Sequence, residues 1–98
     1  MDYEAIYHQE IPADLAGVPA NIKKRIKRAI ESRLLIDPIS YGLPLRKSLQ
    51  GHHKLRVGDY RVIYRIEANK IIILKIGNRR DVYPNALRRL NKPSRKVS

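Results

Sequence analysis

Five side chains in the second half of the chain have the types and spacing to act on a phosphodiester. Lys54, Arg56 and Arg61 lie in Lys54-Leu55-Arg56-Val57-Gly58-Asp59-Tyr60-Arg61-Val62-Ile63-Tyr64. Arg79 and Tyr83 lie in Gly77-Asn78-Arg79-Arg80-Asp81-Val82-Tyr83. Cutting RNA without a metal takes three actions. A base helps the 2′-OH attack its own phosphorus, cations stabilise the extra charge on the phosphoryl oxygens, and an acid protonates the departing 5′-oxygen. Arginine suits the second action, because its fork binds phosphate oxygens bidentately and keeps its charge. Lys54 and Tyr83 can carry a proton, and Tyr83 could instead stack on a base. The residue types alone do not separate these roles.

Other chemistries find less support. His52 and His53 are neighbours, so on a strand they point to opposite faces and cannot share a metal. His53 has the parity of the core, while His52 falls at the rim of the basic face as a candidate RNA contact. Asp59 is a turn residue first. Gly77-Asn78 lacks the rest of a phosphate-loop pattern, and Ser40, Ser48, Ser94 and Ser98 have no organised His and Asp company. The chain has no cysteine, which removes disulfides and thiolate chemistry. No cofactor and no metal are expected.

Three predicted strands position the five residues. Gly58-Asp59 is a two-residue hairpin signal. It pairs Val57 with Tyr60, Arg56 with Arg61, Leu55 with Val62 and Lys54 with Ile63. Leu55, Val57, Val62, Tyr64 and Ile66 then share the core face. For the next hairpin a three-residue loop, Ala68-Asn69-Lys70, aligns Val62 with Ile76, Tyr64 with Leu74 and Ile66 with Ile72. A plain two-residue loop would bring Lys75 onto the core face. The other face is expected to display Lys54, Arg56, Arg61, Arg65 and Lys75, with Arg79 just beyond the strand end. Like charges directly across a hairpin repel. Arg56 opposite Arg61 therefore implies an anion between them.

The remaining chain supplies a frame. Residues 3 to 7 alternate as an edge strand, and Pro12 to Gly17 make one helical turn. From Pro19 a longer helix is expected, with Ile22, Ile26, Ala29, Ile30 and Leu34 as its apolar stripe. Lys23, Lys24, Arg25, Lys27 and Arg28 occupy its other side, and Asp37-Pro38 stops it. Residues 38 to 51 read as a loop with at most a turn of helix, carrying Arg46 and Lys47. Pro84 to Leu90 form a short terminal helix. Residues 1–92 are expected to be a single domain, and residues 93–98 a flexible basic tail.

The balance of 21 Lys and Arg against 9 Asp and Glu, net +12, implies a polyanion or an acidic protein as partner. The longest apolar run, Ile71 to Leu74, is far too short to span a bilayer, and the basic residues are spread out rather than gathered beside an anchor. No membrane partner and a cytoplasmic location are the expectation.

The V-G-D-Y-R-V-I-Y hairpin from Val57 to Tyr64, followed by G-x-R-x-x-V-Y from Gly77 to Tyr83, resembles the RelE/ParE superfamily of toxin–antitoxin toxins, most closely its RelE branch. The resemblance covers nearly the whole chain. It implies an α+β fold: an antiparallel-rich twisted sheet packed against N-terminal helices, with a short C-terminal helix. It also implies a ribosome-dependent mRNA endonuclease that enters the A site and cuts by metal-free 2′-OH attack. Carried over by motif, Lys54, Arg56, Arg61, Arg79 and Tyr83 would be catalytic. Arg46, Lys47, His52, Arg65, Lys75 and Arg80 are the further expected RNA contacts.

Three positions depart from the family pattern. Arg56 stands where relatives can carry a second lysine, and an arginine hardly ever loses its proton. That leaves Lys54 or Tyr83 as the base. Asn78 stands where many relatives have a histidine, and Gln50 where a basic residue is usual. The resemblance further implies an acidic, RelB-like antitoxin that folds on binding, and operator DNA contacted only through that complex. A ParE-like inhibitor of DNA gyrase and an inactive RNA- or protein-binding module are the alternatives.

Overall fold

The structure is a computed structural model that describes residues 3–91; the expected tail, 93–98, lies outside them. In chain order come β1 (Glu4–Tyr7), α1 (Ile11–Leu15), α2 (Ala20–Ala29), α3 (Pro38–Tyr41), β2 (Leu43–Pro44), β3 (His53–Val57), β4 (Tyr60–Glu67), β5 (Lys70–Asn78) and α4 (Val82–Asn91). The strands form one sheet in the order β1-β5-β4-β3-β2. β1 runs parallel to β5, and every other neighbouring pair is antiparallel.

Helix α2 opens after Pro19 and runs into a single π turn at Ile30–Leu34, closed by the Leu35 amide on the Ile30 carbonyl at 3.0 Å. Ile30 and Leu34, four positions apart and so on one helix face, are both buried against the sheet. Asp37, forced to extended backbone by the following proline, ends the run. It also begins the next helix, since its Oδ1 accepts the Ser40 amide at 3.2 Å. The expected loop from 38 to 51 thus holds α3, the two residues of β2, and a 3₁₀ turn at Lys47–Leu49.

The first hairpin has the expected register throughout, from Val57 opposite Tyr60 to Lys54 opposite Ile63. Gly58 has φ +61°, the conformation required at the first position of its tight turn. The second hairpin differs. Glu67 faces Lys70, so its loop is the two residues Ala68 and Asn69. Val62 nonetheless faces Ile76, because the ladder shifts between Ile63 and Tyr64: Ile63 faces Lys75 and Tyr64 faces Ile73. Leu74 is the extra residue of a β-bulge. Tyr64 and Ile66 therefore meet Ile73 and Ile71, not Leu74 and Ile72. The bulge reconciles a tight turn with Ile71, Ile73 and Ile76 all reaching one core.

That core lies under α2, where Ile26, Ala29, Ile30 and Leu34 meet Leu55, Val57, Val62, Tyr64 and the β5 isoleucines. Burying each such aliphatic side chain is worth roughly 1.5–3 kcal/mol. Tyr64 is fully buried and donates its hydroxyl to the Pro38 carbonyl at 2.7 Å. Its ring passes so close to Gly42 that any Cβ there would overlap the hydroxyl. The sheet's other face carries a second, smaller core. Ile63 and Leu74 pack there with Leu49 and with Val82 and Ala86 of α4. The sheet is thus covered on both sides, with α2 on one and α4 on the other.

Candidate nucleic-acid interface

Helix α4 changes what the basic face can be. Its centre is apolar and covered, with Ile63 fully buried, so the cations form a rim around α4 rather than a continuous plate. On one side of that rim, β3 holds Lys54 opposite Ile63 and the first turn of α4 holds Tyr83 against Val82 and Ala86. The Lys54 ammonium lies 5.6 Å from the centre of the Tyr83 ring. A cation over an aromatic face is attracted by the ring quadrupole. Both groups are half-buried. A proton-carrying amine and a phenol thus share one spot.

Arg56 and Arg61 stand directly opposite each other, as the sequence required. Their repulsion is relieved within the protein. Arg61 Nη1 donates to the Gly58 carbonyl at 3.0 Å and the Tyr60 carbonyl at 2.9 Å, which draws its charge to the hairpin turn. One nitrogen of the fork is engaged, and the rest of its donors remain for a ligand. Arg56 is exposed. The anion inferred from this pair is therefore not needed to hold it together.

Arg79 is fixed by its backbone to the same turn, its amide donating to the Asp59 carbonyl at 2.9 Å. Asn78 caps the step into α4. Its Oδ1 accepts the Arg80 amide at 3.0 Å and its carbonyl accepts the Asp81 amide at 3.0 Å. The Arg79 and Arg80 side chains project outward. Arg46 and Lys47 are exposed on the loop before β3. Leu45 and Leu49 of that loop pack in the same cluster as Tyr83, and Lys47 takes the left-handed φ of +56°. Those two cations therefore flank the α4 side of the sheet.

Three of the expected RNA contacts are paired or buried within the protein. Lys75 is captured: its Nζ lies 2.7 Å from Asp14 Oδ1 on α1. Arg89 of α4 binds the same carboxylate and the Leu74 carbonyl that the bulge exposes, at 2.9 Å. Burial alone would raise the Asp14 carboxyl, but the bonds from Arg89, Lys75 and the Ile76 amide outweigh it and hold it below the usual carboxylate range. Arg65 pairs with Glu67 at 3.2 Å. His52 is buried rather than at the rim, since its amide donates to the Leu49 carbonyl and its carbonyl accepts the Leu45 amide. Burial, with the nearby Arg65 charge, pushes its imidazole below the usual value and keeps it neutral. His53 faces the core, as its parity required, and stacks on Tyr64 with ring centres 5.4 Å apart.

The Asp14–Lys75–Arg89 network went unread in the sequence because its members lie 61 and 75 positions apart. Among the described residues no three His, Cys, Asp or Glu side chains come together to hold a metal ion, and no helix is long and apolar enough to cross a membrane.

Known proteins share this fold. Residues 2–83 match the family described as the ParE toxin of the type II toxin-antitoxin system, parDE. Toxin RelG of Mycobacterium tuberculosis is 32% identical over 85 residues, which cover 85% of this chain and 98% of the relative. Toxin RelE of the same organism is 36% identical over 83 residues, 79% of this chain and 86% of the relative. The crystal structure of the toxin–antitoxin complex RelBE2 from M. tuberculosis has a chain that superposes with a TM-score of 0.74 at 28% identity, covering 80% of this chain and 99% of that one. An α+β sheet with this topology, this family match and these relatives make the chain a member of the RelE/ParE superfamily, a toxin of a type II toxin–antitoxin system.

Proposed function

We propose that the protein is an mRNA endonuclease that works on the ribosome, and that Lys54 and Tyr83 perform its proton transfers. The observation that carries the reading is the Lys54 ammonium set over the Tyr83 ring at 5.6 Å, beside arginines with unused guanidinium donors. In this reading one of the two groups acts from its deprotonated form and takes the 2′-OH proton as that oxygen bonds to phosphorus. The free donors of Arg61, with Arg79 and Arg56, neutralise the phosphoryl oxygens. The other group protonates the departing 5′-oxygen. Arg46, Lys47 and Arg80 hold the flanking backbone. The chemistry calls for no metal.

The partner that silences the toxin is an acidic antitoxin of the RelB kind, in the cytoplasm where messenger RNA is translated. A groove of about 510 Å³ between α1 and α2 supports this. It is lined by Tyr7, Ile11, Leu15, Ile26 and Ile30 and edged by Lys23 and Lys27, which suits an amphipathic acidic segment. The test of the activity is primer extension on mRNA in a translation extract, comparing wild type with Tyr83→Phe and Arg79→Ala. Ribosome-dependent cuts that vanish in both variants are expected. Uncut mRNA with a folded, antitoxin-free protein overturns the reading.

Two observations favour a second reading, a gyrase-inhibiting toxin: Asn78 spends its side chain on a backbone turn, leaving no titratable group there, and the matching family is that of ParE. Expression that damages DNA and leaves mRNA intact would select it.

A further inference from the structure

A second cationic cluster lies outside the site just described. A cleft of about 230 Å³ opens where α2 meets the outer edge of β3. Arg25, Arg28 and Arg33 line it from the helix, and Arg56 and Gly58 from the strand and its turn. The Arg25 guanidinium lies over the turn, with Nη1 3.4 Å from where a Cβ on Gly58 would stand. No carboxylate lines the cleft. None of the four guanidinium groups makes an ion pair or donates a hydrogen bond among the described residues. Lys27 and Arg28, in the last turn of α2, gain something from the helix dipole. Arg33, in the last turn of the π segment that continues α2, gains likewise, but the dipole does not account for Arg56, which lines the same space from another element.

Topology supplies the second observation. β2 covers the edge of β3 only at His53 and Lys54, so from Leu55 onward that edge is open. Arg56 is two residues from Lys54 on the same strand, and so shares its face. It also lines the cleft, so one residue joins the cleft to the strand that carries Lys54. Guanidinium forks lining a small polar space suit phosphodiester oxygens. An acidic protein segment is less suited, because the cleft offers only Ala29 and Val57 as apolar surface to bury.

We propose that this arginine cleft is a second phosphate site, which holds the flanking segment of the RNA strand whose reacting part lies over Lys54 and Tyr83. The inference rests on RNA binding at that site. It adds a path around the β3 edge, with Arg56 as the shared residue, and makes affinity depend on RNA length.

The test is binding of labelled single-stranded RNA, one oligomer of about 4 and one of about 20 nucleotides, by fluorescence anisotropy across a salt series. Wild type is compared with Arg28→Ala/Arg33→Ala, both exposed positions outside the proposed catalytic set, after checking that the melting temperature is unchanged. Wild type should bind the longer RNA about tenfold more tightly, and the double variant should lose that gain. The slope of log K against log salt should fall by about 1.4, two phosphate contacts' worth. The short RNA should bind both proteins alike. Equal binding of long and short RNA by wild type overturns the proposal. So does a variant with unchanged long-RNA affinity and slope, including one that loses only poly-L-glutamate binding. Length-dependent binding that needs Arg28 and Arg33 upholds the cleft whether or not the RNA is cut, so failure of the cleavage reading stays distinct.

Discussion

Arg89 of the C-terminal helix grips Asp14 of α1 with both ends of its fork, Nη1 to Oδ2 and Nη2 to Oδ1 each at 3.0 Å. The carboxylate is almost fully buried and also takes Lys75 and the Ile76 amide. One aspartate therefore fastens α4, α1 and the bulged edge of β5 together. Since α4 also carries Tyr83, this network orients the candidate site from its far side.

Removing the charge leaves Lys75 without its counter-ion and Arg89 with only Glu10, at 3.3 Å. Asp14→Asn is expected to cost roughly 3–5 kcal/mol, read as a lower midpoint in urea unfolding at neutral pH. An unchanged midpoint would show that the network contributes nothing net.

The same carboxyl predicts an acid limb. Its folded value is depressed below the ordinary 3.8, so its stabilisation is complete above that unfolded value and disappears as pH falls through the folded one. Wild type should lose stability below 3.8 more steeply than Asp14→Asn. Parallel curves for the two proteins would contradict this assignment.

Tyr64 predicts the alkaline limb. Burial pushes its phenol from 10.0 to about 12. A raised folded value means full stabilisation below pH 10 and its progressive loss as pH climbs through the folded value of about 12. Tyr64→Phe should lack that loss, and should cost roughly 1–3 kcal/mol at neutral pH by orphaning the Pro38 carbonyl. Gly42→Ala should cost roughly 1–3 kcal/mol or more by overpacking. Combining it with Tyr64→Phe should recover part, because the overlapping oxygen is then gone. Additive losses in thermal unfolding would deny the contact.

Ala68 holds a left-handed φ of 56° at the turn between β4 and β5. A Cβ there costs roughly 1–2 kcal/mol, so Ala68→Gly should stabilise the protein by about 1 kcal/mol after the loss of unfolded-state restriction. A lower denaturation midpoint in the glycine variant would refute the strain.

Lys54→Met and Tyr83→Phe should each lower mRNA cleavage by about 10²–10⁴-fold, the range for a lost general acid or base, with little change in stability. Arg61→Ala should also lose cleavage, but it breaks two turn hydrogen bonds as well. Arg61→Lys is the better probe: it keeps a charge and removes the fork. Full activity in Lys54→Met would remove that residue from the mechanism.

Local chemistry determined much of this protein. The Gly58-Asp59 turn set the β3–β4 register residue by residue, because a two-residue loop leaves a hairpin only one alignment. Parity then put Lys54, Arg56, Arg61 and Arg65 on the face away from α2, and α2's own stripe chose its buried side. What parity could not weigh was Ile63 and Leu74, apolar residues on the supposedly basic face. They were the legible sign that α4 would cover it. Tertiary structure alone decided the rest. The bulge at Leu74 follows from reconciling a tight turn with three core isoleucines, and no local pattern encodes that compromise. Lys75 and Lys54 have the same side-chain chemistry and read alike in sequence. One is neutralised by an aspartate 61 positions away and the other is set over a tyrosine from another element. A charge's role depends on which opposite charge or ring the folded chain brings within a few ångströms, and sequence spacing does not carry that distance.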